Sequence, residues 1–219
     1  MGDAEQAKGH DERNVLPREF LEWQSRARLS LYRTVTSEGI GAVRTMPSHL
    51  AVIGTSGPDG SINLATKGLG LVPRKERLDL FTSEFRSTIE RCRGREWSST
   101  LDERVRTLLS FYQEVDNFDD SRLGGLEIFE GTTYENLRSD SRASLLFSGE
   151  APGFLSYQID GTVEFVEKGD PYYEFLLSAR GLFANDRFHV PQTYYPHGFI
   201  INVRSVKDKR PTTRSGPHV

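Results

Sequence analysis

The chain has 219 residues and a mass of 24.8 kDa, with 36% hydrophobic residues, 27% charged residues, 13 Phe and 8 Tyr. That is too much apolar surface for a disordered chain and enough for one large domain or two small ones. Lys plus Arg number 28 against 31 Asp plus Glu, and a net charge of -3 exerts no overall pull on nucleic acid or an anionic membrane, so a small-molecule partner is expected. A single cysteine, Cys92, excludes an intrachain disulfide and a thiolate cluster and points to the reducing cytoplasm.

Residues 1–14 are polar, unlike a signal peptide or an anchor, and nothing later approaches the roughly 20 apolar residues of a bilayer span. A soluble protein with no membrane partner is expected. Residues 15–35 carry Leu16, Phe20, Leu21, Trp23, Leu29, Leu31 and Tyr32, an apolar pattern that predicts one amphipathic helix, with Pro17 placed where a first turn tolerates it. Residues 50–55 and 62–67 read as two strands joined by Pro58-Asp59-Gly60, where proline presets the backbone and glycine accepts positive φ. The alternation in Leu78-Asp79-Leu80-Phe81-Thr82 predicts a third strand after the polar turn at 73–77.

The pattern turns helical over residues 87–113. Thr100 and Glu103 stand in capping-box spacing ahead of Val105, Leu108, Leu109 and Tyr112. Residues 116–120 read as an acidic loop. Strands are expected at 126–129, 143–147 and 154–166, the last bent near Asp160-Gly161, with a short helix at 132–138. A further helix at 171–179 and a closing strand at 199–206 complete the order. Strands, hairpins and interspersed helices without regular β-α-β alternation favour an α+β fold, an antiparallel barrel with helical additions.

The familiar catalytic elbows, phosphate loops and zinc motifs are missing. Five scattered histidines, His10, His49, His189, His197 and His218, lack ligand spacing, and no metal site is expected. Cys92 between Arg91 and Arg93 reads as a structural helix cysteine more readily than as a reactive thiol. The stretch Gly131-Thr132-Thr133-Tyr134-Glu135-Asn136-Leu137-Arg138 gathers hydroxyls, an amide and a guanidinium at a helix start, where N–H groups favour phosphate; a simple capped surface helix is the other reading. Lys67, ending an apolar strand, is a cation placed to neutralise a bound anion.

In this order, His49-Leu50-Ala51-Val52-Ile53-Gly54-Thr55, Pro58-Asp59-Gly60-Ser61-Ile62-Asn63, residues 126–147 and Tyr157-Gln158-Ile159-Asp160-Gly161-Thr162-Val163-Glu164-Phe165 resemble the pyridoxamine 5'-phosphate oxidase-like family of flavin-binding split barrels, over residues 48–168. The resemblance implies a six-stranded antiparallel split β-barrel, a homodimer holding FMN at the subunit interface, and oxidoreductase chemistry on a small molecule. It places an N-terminal extension at 1–47, the FMN-binding domain at 48–206 with a helical insertion at about 84–124, and a loose basic tail at 207–219. Carried over, Lys67 matches the basic residue ending the second strand, and Asn63, Leu64, Ala65 and Thr66 line the isoalloxazine edge. Thr132, Thr133, Asn136 and Arg138 match the phosphate-side helix, while Thr82 and Ser83 belong to a second segment resembling the same junction. The closing strand has no Arg-Leu-Ala-Pro ending and Ser156 replaces a glutamine, so conversion of pyridoxamine phosphate is not implied. The wider family also allows a non-catalytic flavin-binding or sensory role, deazaflavin, or haem on His189 or His197.

Overall fold

The computed structural model describes residues 14–43, 50–149, 154–183, 192 and 194–210. His10, His49, His189, His218 and all of the basic tail beyond residue 210 lie outside them. In chain order the elements are α1 (Arg18–Glu38), β1 (Leu50–Ser56), β2 (Ile62–Gly68), β3 (Gly70–Pro73), α2 (Leu78–Arg91), α3 (Trp97–Tyr112), β4 (Phe118–Leu126), α4 (Thr132–Ser139), β5 (Arg142–Ser148), β6 (Ser156–Val166), α5 (Pro171–Leu182) and β7 (Gly198–Asp208). None of the described helices is long and apolar enough to cross a membrane.

The seven strands form one antiparallel sheet in the order β2-β1-β5-β6-β7-β4-β3. The architecture is α+β and antiparallel as expected, but the sheet has seven strands where six were expected. The first hairpin forms as its turn chemistry requires: Gly60 sits at φ 79° and the Asp59 carboxylate accepts from the Ser61 backbone N–H at 3.0 Å. Period-2 burial then faces Ala51, Ile53 and Thr55 of β1 and Ala143, Leu145 and Phe147 of β5 into the core. The bend expected near Asp160-Gly161 is a register shift between those two residues in the β6–β7 pairing. A Cβ on Gly161 would lie 2.6 Å from the Asn202 carbonyl oxygen, so the irregularity there requires glycine.

Several expectations fail for identifiable reasons. Residues 78–82 open helix α2, because Leu78, Phe81, Phe85 and Thr88 are buried at helical spacing while Leu80, which a strand would place beside Leu78, is 60% exposed. The strand of that region is β3, only four residues running from Gly70 to Pro73. Helix α3 starts at Trp97, so Thr100 is interior and its hydroxyl donates to the Trp97 carbonyl instead of capping. Glu103 pairs with Arg91 and Arg95. The acidic loop is a short 3-10 turn, Val115–Asn117, leading into β4, which covers residues 118–126 and not 126–129. Its buried Asp119 is satisfied by Ser121 and Arg122.

Helix α1 docks Phe20 edge-on against Phe147 of β5 at 5.2 Å and Tyr157 of β6 at 5.4 Å. Phe85 of α2, Phe111 of α3, Phe118 of β4 and Phe175 of α5 form a second aromatic cluster in the same core. Cys92 is buried at the end of α2. Burying each phenylalanine contributes about 1.5–3 kcal/mol.

Across β5, β6 and β7, the Asp160 carboxylate accepts from Ser144 at 2.6 Å, Gln158 at 2.9 Å and Lys207 at 3.0 Å. Burial pushes this carboxyl upward, but the hydrogen bonds from Gln158, Ser144 and Lys207 outweigh it and hold the pKa at about 2.

Candidate functional site

Strand β2 splits its expected ligand residues between two faces, as alternation requires. Asn63, Ala65 and Lys67 are half-buried, whereas Leu64 and Thr66 face outward. Asn63 reaches the start of α4: its amide donates to the Thr133 hydroxyl at 2.9 Å. From the same helix, the buried Asn136 donates to the Thr55 hydroxyl of β1 at 3.1 Å. Residues 70 and 81 positions apart thereby fasten α4 to the first hairpin.

The N-cap of α4 is Gly131, which brings no side chain, and the first helical bond runs from Glu135 N–H to the Gly131 carbonyl. The N–H groups of Thr132, Thr133 and Tyr134 therefore find no acceptor among the described residues, and they carry the positive end of the helix dipole. Thr132 is exposed beside them. The Thr133 oxygen accepts from Asn63, and its hydroxyl proton is left to donate.

Lys67 has a different partner from the one its position suggested: its ammonium donates to the Glu127 carboxylate just beyond β4. Glu127 is held in turn, its N–H donating to the His197 carbonyl at 3.0 Å and its carboxylate accepting from Ile128 N–H at 3.2 Å. The His197 ring stacks on Tyr134 of α4 at 4.6 Å and lies 5.0 Å from Phe165. Its Nδ1 is 3.6 Å from the Glu130 carboxylate, and its Nε2 is buried with no partner among the described residues. Packed between Tyr134 and Phe165, this imidazole braces α4. Among the described residues, no group of three His, Cys, Asp or Glu side chains is arranged to hold a metal ion.

Arg138 is exposed on the last turn of α4, its guanidinium 5.8 Å from the Tyr134 ring centre. Thr82 and Ser83 lie in α2 instead of at a strand-helix junction, and the Thr82 hydroxyl donates to the Leu78 carbonyl at 2.8 Å. The structure thus brings Asn63, Thr133 and Asn136 together, sets Thr132 beside them, and keeps Lys67 in an ion pair. Thr55, Glu127, Tyr134 and His197 complete the surroundings; the sequence offers Thr55 and Tyr134 only as members of longer motifs and His197 only as a haem candidate, and gives Glu127 no role. On the outer face of the sheet, Leu50 and Val52 of β1, Ile62 and Leu64 of β2, and Leu146 of β5 are all exposed.

The donor set suits a phosphate or another compact anion: three backbone N–H groups and two hydroxyls, with no carboxylate hydrogen-bonded among them. No protein-family model matches the sequence, and neither does any curated protein. Solved structures are similar. A provisionally named pyridoxamine 5'-phosphate oxidase from Lactobacillus delbrueckii is 17% identical, with 89% of this chain and 95% of that one covered and a TM-score of 0.43. Another from Listeria innocua is 11% identical over 86% and 98% of the two chains, with a TM-score of 0.44. HupZ of Group A Streptococcus is 18% identical over 77% and 90%, also at 0.44. With scores this low, the reading of the site rests on the side chains of this protein alone.

Proposed function

We propose that the chain is a flavoprotein of the pyridoxamine 5'-phosphate oxidase-like split-barrel family that holds FMN with its phosphate at the start of α4. The observation that carries this reading is the uncapped N-terminus of α4, with Thr132 and Thr133 at its head, fastened to β2 and β1 through Asn63 and Asn136. Thr132, Thr133 and the backbone N–H groups of the first turn bind the phosphate, and Asn63 and Asn136 fix the turn in place. Ala65 and the outward residues Leu64 and Thr66 flank the ring system. Lys67 sets the position of β2 against Glu127 and adds little net charge to the phosphate.

FMN supplies the redox chemistry, accepting and returning hydride or electrons from a small molecule. The chain's own part is to orient the cofactor and limit its contact with water. A second copy of the chain covers the exposed apolar face formed by Leu50, Val52, Ile62, Leu64 and Leu146, which is of the kind that marks an interaction surface. The reducing cytoplasm is the matching compartment for a chain whose lone cysteine is a buried thiol.

The absorption spectrum of the purified protein, with the released chromophore identified by mass, tests the cofactor. A flavin spectrum and the mass of FMN are expected. Colourless protein with no affinity for added FMN contradicts the reading. Bleaching by NADH or NADPH and recolouring by an acceptor identifies turnover, and a flavin inert to both identifies a carrier or sensor instead of an enzyme.

A further inference from the structure

Helices α1, α3 and α5 and the ends of β2, β3 and β4 enclose a cavity of about 490 Å³, within the range of small-molecule sites. Its walls are mostly apolar, with Leu31, Leu71, Leu108, Phe111, Phe175 and Leu176 among them. Exposed Leu50 and Thr66 also line its rim. Among the described residues no Asp or Glu lines it, but two arginines do, Arg28 and Arg180.

Arg28 sits in the middle of the buried stripe of α1 and is only 9% exposed. Its guanidinium donates to the Leu69 carbonyl at 2.8 Å and lies 5.7 Å from the centre of the Tyr112 ring, and it has no carboxylate partner among the described residues. Tyr32, the nearby hydroxyl that burial pushes well above the usual tyrosine range, stays neutral and offers no anion. A buried cation without a counter-charge is costly, and a carbonyl, a ring face and a hydrogen bond to the neutral Tyr32 hydroxyl offset only part of that cost. Arg180, across the cavity, donates from Nε to the Tyr195 hydroxyl at 2.8 Å, and none of its bonds among the described residues is to a carboxylate.

We propose that this cavity binds a small amphiphilic carboxylate, its apolar body against the leucine and phenylalanine walls and its head on the Arg28 guanidinium, with Arg180 as a second cation. The planar guanidinium fork matches a carboxylate, and the head supplies the missing counter-charge. The apolar walls reward the rest of the molecule by burial. Arg28 and Arg180 make none of the proposed FMN contacts, but Thr66 is shared with the proposed flavin site, so the cavity is tested with and without the cofactor.

Isothermal titration of the full chain with decanoate and with decanol, each with and without added FMN, tests it. One decanoate per chain is expected, bound more tightly than decanol. Replacing Arg28 by methionine removes an unpaired buried charge and keeps most of the volume, so the fold is expected to survive. Arg28→Met is expected to weaken decanoate by at least about tenfold, the loss of one charged hydrogen bond, and to leave decanol unchanged. Ala179→Phe, which fills the cavity without touching charge, is expected to weaken both ligands. Wild-type protein that binds no decanoate, or binds decanol equally well, overturns the proposal, as does an Arg28→Met protein that binds decanoate as wild type does. Should Arg28→Met fail to fold, Ala179→Phe together with Arg180→Met decides, and unchanged decanoate affinity in both overturns it. The flavin spectrum of the same samples reports separately on the cofactor.

Discussion

The Lys67 ammonium on β2 donates to the Glu127 carboxylate beyond β4, in an ion pair whose side chains are 16% and 2% exposed. Removing one partner leaves the other charge buried and alone, whereas removing both can be nearly neutral. Lys67→Met is therefore expected to cost about 3–5 kcal/mol in urea unfolding, with most of the loss recovered in the double variant Lys67→Met, Glu127→Leu. A single variant no less stable than the double contradicts the pairing.

Asn136 carries the link from α4 to β1. Asn136→Leu leaves the Thr55 hydroxyl without this donor and is expected to cost about 1–3 kcal/mol of stability, measured by urea unfolding. Loosening α4 should also weaken FMN binding. Unchanged stability would show that the helix is held by other contacts.

Gly125 marks the place where β4 passes under the end of β2. A Cβ there would lie 2.4 Å from the Gly68 carbonyl oxygen and 2.7 Å from the Phe199 ring, and the first of these neighbours is backbone that cannot swing aside. Gly125→Ala is expected to cost at least about 1–3 kcal/mol, the usual range for overpacking, and to lower the thermal midpoint. A variant as stable as wild type means that the strands do not approach so closely.

The Asp160 network predicts acid sensitivity with a definite sign. An aspartate free in the unfolded chain titrates near 3.9, and folding lowers this one to about 2. Its contribution is thus present above about pH 4 and disappears as pH falls from about 4 through 2, because the unfolded chain binds the proton more readily. Asp140, held at about 2 chiefly by hydrogen bonds from Arg142, loses its contribution in the same window. Asp160→Asn is expected to flatten part of the stability decline between about pH 4 and pH 2, followed by the urea midpoint. An unchanged slope would mean that the carboxylate is not held in its ionised form.

Elements whose ends carry their own local chemistry were legible from sequence: the Pro58-Asp59-Gly60 hairpin, α4, β5, and the bent β6. Leu78-Asp79-Leu80-Phe81 was misread because four or five residues satisfy both the period of 2 and the period of 3.6; only the burial of Phe85 and Thr88 further on separates them. Strand β3 is too short to announce itself, and β4 hides its strand pattern behind Asp119, Asp120, Ser121 and Arg122, of which Asp119, Ser121 and Arg122 bond to one another and to Asn202 within the fold. In the candidate site, Asn63, Thr133 and Asn136, named from residue type and position, lie within one set of hydrogen bonds, and their part in holding a cofactor belongs to the proposal. Glu127 as the partner of Lys67 is not legible from sequence, because the pairing joins residues 60 positions apart, from edge strand β2 to the segment just beyond β4.

Everything proposed for the cofactor depends on a phosphate at the start of α4, and the affinity difference between FMN and riboflavin, which lacks that phosphate, measures this most directly. Each charge-assisted hydrogen bond contributes about 1.5–3 kcal/mol. Titration followed by flavin fluorescence is therefore expected to show FMN bound at least about tenfold more tightly than riboflavin. Thr132→Val combined with Thr133→Val should shrink that preference. Equal affinity for the two flavins, or a preference that survives both substitutions intact, contradicts the account.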